Sequence, residues 1–200
     1  MNQSELERLL GYLRQIPAMQ AKMNIGKGIK IAQPNIEKIA DLYVLPGDDT
    51  AAIATEHGYM LHACEGMIPS FVEYHPYFAG WSAVMANISD IAAMGGRATS
   101  VVNSFWHRSA EQAQALVQGM QAACQHYGVP LVGGHTHIDP NFQPGLSVAI
   151  QGEAKQLLSV MHEQPQQNIL LVLNLKGKFH PNTTYWKCFE GVDGDQLQAE

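Results

Sequence analysis

Residues 77–96 read Tyr-Phe-Ala-Gly-Trp-Ser-Ala-Val-Met-Ala-Asn-Ile-Ser-Asp-Ile-Ala-Ala-Met-Gly-Gly, and the rest of the chain is organised around this stretch. Its apolar residues recur three and four positions apart, which predicts a helix with a wide buried face. Gly95 and Gly96 mark its end, because glycine adopts the left-handed conformation easily. Asn87 and Asp90 are three residues apart and share one side of the helix. A carboxylate on so apolar a helix emerges at the surface, caps a neighbouring loop, or has a chemical role.

The composition of the 200 residues is that of a globular protein, with 46% hydrophobic and 15% charged residues. Such a chain can bury one full core, or one core and the start of another. The net charge of −6 and the lack of a basic run argue against nucleic acid or an anionic membrane as a partner. No apolar run is long enough to span a bilayer and the N-terminus is unlike a signal peptide, so we expect a cytoplasmic protein. The three cysteines are far apart, which argues against a disulfide framework or a cysteine zinc site.

The segments around the central helix predict an α+β fold. Residues 51–54 and 58–64 have the pattern of a hairpin, and residues 98–106 that of a strand. Ser109 opens a helix that ends at Gly128, and short strands follow at 129–132 and 146–150. The order hairpin, helix, strand, helix, strand, strand indicates a mixed sheet with helices on one face.

We place this domain at residues 41–154, with an N-terminal region at 1–40 and a C-terminal region at 155–200. Ser4 and Glu7 open an amphipathic helix that ends near Pro17. Residues 24–33 form either a solvated connector, which we favour, or a loop that touches phosphate through lysine. Apolar residues after Asn168 predict another strand. The C-terminal region is therefore either a linker with the start of an incomplete second domain or a compact extension of the first.

Several acids lie where strands meet loops. Asp48 and Asp49 precede the first predicted strand, and Glu65 lies at the end of the second. Pro-Gly-Asp-Asp at 46–49 is, in isolation, an ordinary turn. Carboxylates that converge from separate elements are, alternatively, the ligands that Mg²⁺ prefers.

Three motifs in the chain resemble one enzyme superfamily. They are Gly-Asp-Asp-Thr-Ala-Ala-Ile at 47–53, Asn-Ile-Ser-Asp-Ile-Ala-Ala-Met-Gly-Gly at 87–96 and Gly-Gly-His-Thr at 133–136. In this order and spacing they resemble the N-terminal ATP-binding domain of the PurM-like superfamily. That superfamily contains aminoimidazole ribonucleotide (AIR) synthetase, thiamine-monophosphate kinase, selenophosphate synthetase and a hydrogenase maturation protein, and the resemblance is greatest to proteins known as AIR synthase related. It implies a homodimer whose sheets join into a β-barrel, with ATP and Mg²⁺ in clefts at the interface.

The resemblance also implies roles for individual residues. The positions that hold Mg²⁺ against the ATP phosphates correspond to four acids, Asp48, Asp49, Glu65 and Asp90, although relatives usually carry aspartate in place of the glutamate. Contacts to the nucleotide are implied for Gly133, Gly134 and Thr136, and Lys27 is a further candidate. Asn87 is implied either to contact the nucleotide or to support the ligands from behind. Glycines let a backbone approach phosphates closely.

This set predicts ATP- and Mg²⁺-dependent phosphoryl transfer to an oxygen of a small-molecule substrate, as in AIR synthetase or thiamine-monophosphate kinase. His135 stands where those enzymes carry an acid, and it is the candidate general acid or base. Selenophosphate synthetases share Gly-Gly-His, but the reactive N-terminal cysteine or selenocysteine of those enzymes is missing, which argues against selenium chemistry. Two alternatives stay open. The domain binds nucleotide or a partner without turnover, or the alternating residues His135, His137 and Asp139 form a zinc or other transition-metal site.

Overall fold

The computed structural model describes residues 2–32, 48–160 and 165–168. Five helices and five strands lie within these ranges. The helices are α1 (Gln3–Gln15), α2 (Pro17–Ala32), α3 (Pro69–Tyr74), α4 (Pro76–Ala93) and α5 (Ala110–Tyr127). The strands are β1 (Ala51–Thr55), β2 (Gly58–Met67), β3 (Arg97–His107), β4 (Leu131–Ile138) and β5 (Gly145–Ala154).

The five strands form one mixed sheet in the order β1-β2-β5-β3-β4. All neighbouring strands are antiparallel except β3 and β4, which are parallel. A parallel pair needs a crossover connection, and α5 supplies it. The predicted hairpin is β1 and β2, and the predicted mixed α+β sheet is confirmed.

Helices α4 and α5 pack against each other and against one face of the sheet. The strands bury every second side chain beneath these helices, as Leu146, Val148 and Ile150 of β5 show. On the opposite face, Val102 and Trp106 of β3 remain 41% and 39% exposed. The sheet therefore has one face covered by helices, as predicted, and one face that we call the open face.

Helix α4 occupies the stretch that the apolar periodicity indicates. Pro76 begins it, since a residue in the first turn needs no hydrogen bond from its backbone nitrogen. At the other end Gly95 has a φ of +75°, and its N–H donates to the carbonyl oxygen of Ala92 at 2.9 Å. The chain leaves the helix at the predicted glycine.

The N-terminal region differs from its prediction. Asn2, and not Ser4, caps α1, because the Asn2 side chain accepts the Glu5 N–H at 2.9 Å while the Glu5 carboxylate accepts the Asn2 N–H at 2.8 Å. Helix α1 ends at Gln15, near Pro17 as predicted, but Pro17 begins a second helix. Helix α2 continues to Ala32 through the stretch predicted to be a connector. Helix α1 has no buried residue.

Strand β4 also differs, since it extends to Ile138 and includes the whole Gly-Gly-His-Thr motif. Pairing with β3 over its length holds this glycine-containing stretch extended. Helix α3 was not predicted, because six residues are too few to show a helical period. The predicted strand after Asn168 and the domain boundary near residue 41 fall outside the described residues, so the domain division stays a prediction. Within the described ranges, no helix has the length and apolar character needed to cross a membrane.

Candidate functional site

Three of the predicted metal ligands come from three different elements on one side of the domain. Asp49 lies in the bend before β1, Glu65 lies in β2, and Asp90 lies in the last turn of α4. Glu65 is paired with Val148 of β5, a buried residue, so it projects from the face that α4 covers. The Val148 carbonyl in turn accepts a hydrogen bond from Asn87 of α4, three residues before Asp90. This register brings the β2 acid to the end of α4.

The pKa of Asp90 reflects how close these acids lie to one another. Its pKa is raised from 3.8 to about 6, and the largest cause is loss of water around the partly buried carboxyl. The negative charge of Glu65 is the second cause and that of Asp49 the third. Glu65 and Asp49 therefore each repel the charge of Asp90 at neutral pH. A bound divalent cation would relieve that repulsion.

The acids do not form a ready-made metal cage. Among residues 2–32, 48–160 and 165–168, no three histidine, cysteine or acidic side chains are grouped closely enough to hold a metal ion by themselves. Mg²⁺ in nucleotide sites takes only one or two carboxylates and completes its shell with phosphate oxygens and water. The donor set fits a Mg²⁺ ion that is shared with a phosphate group, and it does not fit an all-protein site.

Asp48, the fourth predicted ligand, is held by two hydrogen bonds. The backbone N–H of Asp49 donates to its Oδ1 at 3.0 Å. The hydroxyl of Ser159, from the segment after β5, donates to its Oδ2. Sequence reasoning missed Ser159, because a single serine in a predicted linker carries no pattern.

Asn87 lies in α4, directly behind the acids. It is fully buried, and its side-chain N–H groups donate to the carbonyl oxygens of Ala83 at 2.7 Å and Val148 at 3.1 Å. Its Oδ1 has no hydrogen-bond partner. The bond to Val148 ties α4 to β5, which suits the supporting role more than direct contact. Contact with a nucleotide stays a prediction.

The two glycines of β4 differ in what surrounds them. A Cβ at Gly134 would lie 2.4 Å from the carbonyl oxygen of Asn103 in β3, so close strand packing alone requires glycine there. A Cβ at Gly133 would meet nothing within 4 Å. Thr136 lines a cavity of about 540 Å³ between β4 and α5. Of these three residues, Gly133 and Thr136 are open to a ligand, and Gly134 already has a packing role.

His135 is not brought to the acids within one chain. It is paired with Ser104 of β3, which is paired with Ser147 of β5, which is paired with Gly66 of β2. Three strand spacings, about 14 Å, therefore separate His135 from Gly66, the residue that follows Glu65. Residues directly opposite each other share a face, so His135 projects from the open face while Glu65 projects from the helix-covered face.

The histidines of β4 line a pocket of their own. The rings of His135 and His137 are 6.4 Å apart, and they border an open pocket of about 400 Å³ with Trp106 and Phe142. The Asp139 carboxylate instead accepts the backbone and side-chain N–H groups of Asn141, at 2.8 and 3.0 Å. The proposed ligand set of two histidines and Asp139 is therefore not assembled in the part of the chain that the structure describes.

Lys27 lies on helix α2, and its side chain is outside the described part of the structure. Its predicted contact with phosphate stays a prediction.

Residues 47–154 match the family described as AIR synthase related protein, N-terminal domain. The chain belongs to this family. The matched range begins at the Gly-Asp-Asp motif and ends at the last residue of β5, so it contains the whole sheet and all four acids. The resemblance inferred from the three motifs is thereby confirmed.

Individual relatives of this AIR synthase related chain cover only part of it. An uncharacterized protein of Synechocystis sp., sll0787, is 46% identical over 153 residues, which are 76% of this chain and 47% of that protein. The thiamine-monophosphate kinase of Bacillus subtilis is 32% identical over 100 residues, which are 45% of this chain and 30% of the kinase. The chain thus spans about half, or less, of the length of these relatives.

The fold has counterparts among solved structures. A structure of AaThiL complexed with AMPPCP and TMP superposes with a TM-score of 0.53 at 23% sequence identity. The superposition covers 68% of this chain and 42% of AaThiL. At this identity the likeness shows a shared fold.

Proposed function

We propose that this AIR synthase related domain binds ATP together with Mg²⁺ and takes part in transferring the γ-phosphoryl group to an oxygen of a small-molecule substrate. The observation that carries the proposal is the convergence of three acids from three elements, where burial first, and then the charges of Glu65 and Asp49, raise the pKa of Asp90 to about 6. Acids held together against this repulsion are stabilised by a cation. Their number and spacing suit a cation that brings phosphate ligands of its own.

The relatives support the same kind of chemistry. The Bacillus subtilis relative is a thiamine-monophosphate kinase, and the solved AaThiL contains AMPPCP and TMP. A relative from Sulfurimonas denitrificans, 32% identical over 109 residues, is a selenide, water dikinase. The substrate of this chain is left open, because the matched region is less than a third of either enzyme.

Phosphoryl transfer needs little covalent chemistry from the protein, because most of the catalysis comes from positioning the reactants and from neutralising charge. Mg²⁺, when bound, would supply that neutralisation at the phosphates. The ion would be held by Asp48 and Asp49 in the bend before β1, by Glu65 in β2 and by Asp90 in α4. Asn87 keeps α4 and β5 in register, so that the acids face one another.

Calorimetric titration with AMPPCP tests the proposal. We expect binding in Mg²⁺ that is lost in EDTA, and we expect Asp90→Asn to lose the Mg²⁺-dependent part. Asp139→Asn is a matched control, because it removes a carboxylate at the opposite edge of the sheet, where Asp139 accepts two N–H groups of Asn141 in its own loop. Absence of Mg²⁺-dependent binding in the folded wild type, or equal losses in both variants, would refute the proposal.

Nucleotide binding without turnover is the second candidate function. It is favoured by the position of His135, which faces away from the acids of its own chain and therefore cannot act on a phosphate held there. A nucleotide-binding module predicts Mg²⁺-dependent binding of AMPPCP but no release of ADP with any phosphate acceptor. Release of ADP that depends on an added small molecule would decide for the enzyme.

We also propose that the open face pairs with the same face of a second copy. Val102 and Trp106 of β3 expose apolar side chains on this face, and a monomer would leave them in water. Light scattering after size exclusion should give twice the mass of the chain, and Val102→Asp should give the monomer mass. Tyr74→Asp, which changes an exposed residue of α3, should leave the dimer intact. A monomeric wild type would contradict this assembly.

A further inference from the structure

The segment after β5, residues 155–160, turns back across the end of α4. The N–H of Leu158 donates to the carbonyl oxygen of Met94 at 3.1 Å. The Leu158 side chain lies against Gly95, where an added Cβ would be 3.0 Å from Leu158 Cγ. Leu157 packs partly buried against the core. These contacts fix the segment at the end of the helix that carries Asp90.

The next residue, Ser159, reaches from this segment to the bend before β1. Its hydroxyl donates to Oδ2 of Asp48, while the Asp49 N–H donates to Oδ1 at 3.0 Å. Each carboxylate oxygen has two lone pairs, so each keeps one for a cation after accepting one hydrogen bond. The two donors set the plane of the carboxylate without using up its capacity as a ligand.

We propose that Ser159 is a positioning residue for Asp48, and that it orients this carboxylate for the Mg²⁺–nucleotide complex. The inference rests on the proposed function. Residues behind metal ligands fix the orientation of those ligands, and their loss costs about 10- to 100-fold in metal affinity. Because the same segment is bonded to Met94, it also holds the bend that carries Asp48 against the end of α4 that carries Asp90.

The test is a series of AMPPCP titrations of the whole chain at increasing Mg²⁺ concentration. Ser159→Ala should raise the Mg²⁺ concentration for half-maximal binding about 10-fold or more, with the melting temperature unchanged. Ser159→Thr keeps a hydroxyl and should restore the wild-type value. Thr99→Val is the control, because it removes a hydroxyl that bonds a carbonyl of β5 away from the acids, at 3.1 Å.

A double-mutant cycle separates orientation of Asp48 from a general effect on folding. If Ser159 acts through Asp48, then Ser159→Ala has no further effect on nucleotide binding in an Asp48→Asn background. Equal losses in both backgrounds would overturn the role of Ser159 alone. So would a wild type that binds AMPPCP with Mg²⁺ and a Ser159→Ala variant that binds equally well. A folded wild type without Mg²⁺-dependent binding would overturn the proposed function and this inference together.

Discussion

Replacing Asp90 with asparagine should make the ligand-free protein more stable at neutral pH. The pKa of this carboxyl is raised to about 6 by partial burial and by the charges of Glu65 and Asp49. Asparagine has nearly the same shape as the protonated acid and carries no charge. The substitution therefore removes a repulsion that the native structure tolerates.

The sign and the size follow from the two pKa values. Below pH 3.8 the carboxyl is protonated in both states, and between 3.8 and about 6 the unfolded chain releases its proton first. Stability therefore falls as the pH rises through this window, and the loss is complete above about pH 6. The pKa difference sets an upper limit of about 3 kcal/mol. Because Asp90 is partly exposed, solvent screening lowers the expected gain in Asp90→Asn to about 1 kcal/mol.

Urea unfolding followed by circular dichroism, at a series of pH values from 4 to 8, measures this difference. We expect the variant to exceed the wild type by about 1 kcal/mol at pH 7.5, or about 3 °C in melting temperature, and the gap to close near pH 4. Addition of Mg²⁺ and AMPPCP should stabilise the wild type more than the variant.

Two results would refute this reasoning. The first is a variant less stable than the wild type at pH 7.5, which would mean that Asp90 makes favourable contacts as an anion. The second is a stability difference that does not change with pH, which would mean that the charge of Asp90 is not its cause. Asp139→Asn controls for the loss of one negative charge elsewhere in the chain.

Four further substitutions test individual contacts. Glu65→Gln removes the second cause of the raised pKa of Asp90, so NMR titration of that carboxyl should give a value between 3.8 and 6. Asn87→Ala removes two buried hydrogen bonds, one within α4 and one from α4 to β5, and urea unfolding should show a loss of about 2 kcal/mol. Gly134→Ala places a Cβ 2.4 Å from a carbonyl oxygen of β3 and should cost about 1–3 kcal/mol, whereas Gly133→Ala meets nothing and should cost far less.

Each of these has a result that contradicts it. An unchanged titration of Asp90 in Glu65→Gln would show that the two carboxyls do not interact. Wild-type stability of Asn87→Ala would mean that its hydrogen bonds do not hold α4 to the sheet. Equal effects at Gly133 and Gly134 would mean that β4 does not pack on Asn103 as described.

The elements with strong local signals were predictable from the sequence. Helix α4 has an apolar period and a glycine at its end, and both were found where they were predicted. The α1 cap was misplaced because Asn2 with Glu5 and Ser4 with Glu7 have the same three-residue spacing. The local pattern cannot show which of these two residue pairs caps the helix.

The extent of β4 was not predictable, because its conformation is imposed by a distant strand. Two consecutive glycines at 133–134 are typical of a loop. Parallel pairing with β3, about 30 residues earlier, holds them extended, and the packing of Gly134 on Asn103 accounts for one of them. The sequence shows where a neighbouring backbone could approach closely, but it does not show which segment does so.

The motifs named four acids that the fold brings to one side of the domain, but they did not show that His135 lies elsewhere. That separation is a property of strand order, since two strands lie between β2 and β4. If His135 acts in phosphoryl transfer, it must therefore act on a phosphate held by another copy of the chain. Mixing the inactive variants His135→Ala and Asp90→Asn tests this, because random pairing gives mixed dimers with one intact shared site and returns about a quarter of wild-type activity. Sites contained within single chains would return none.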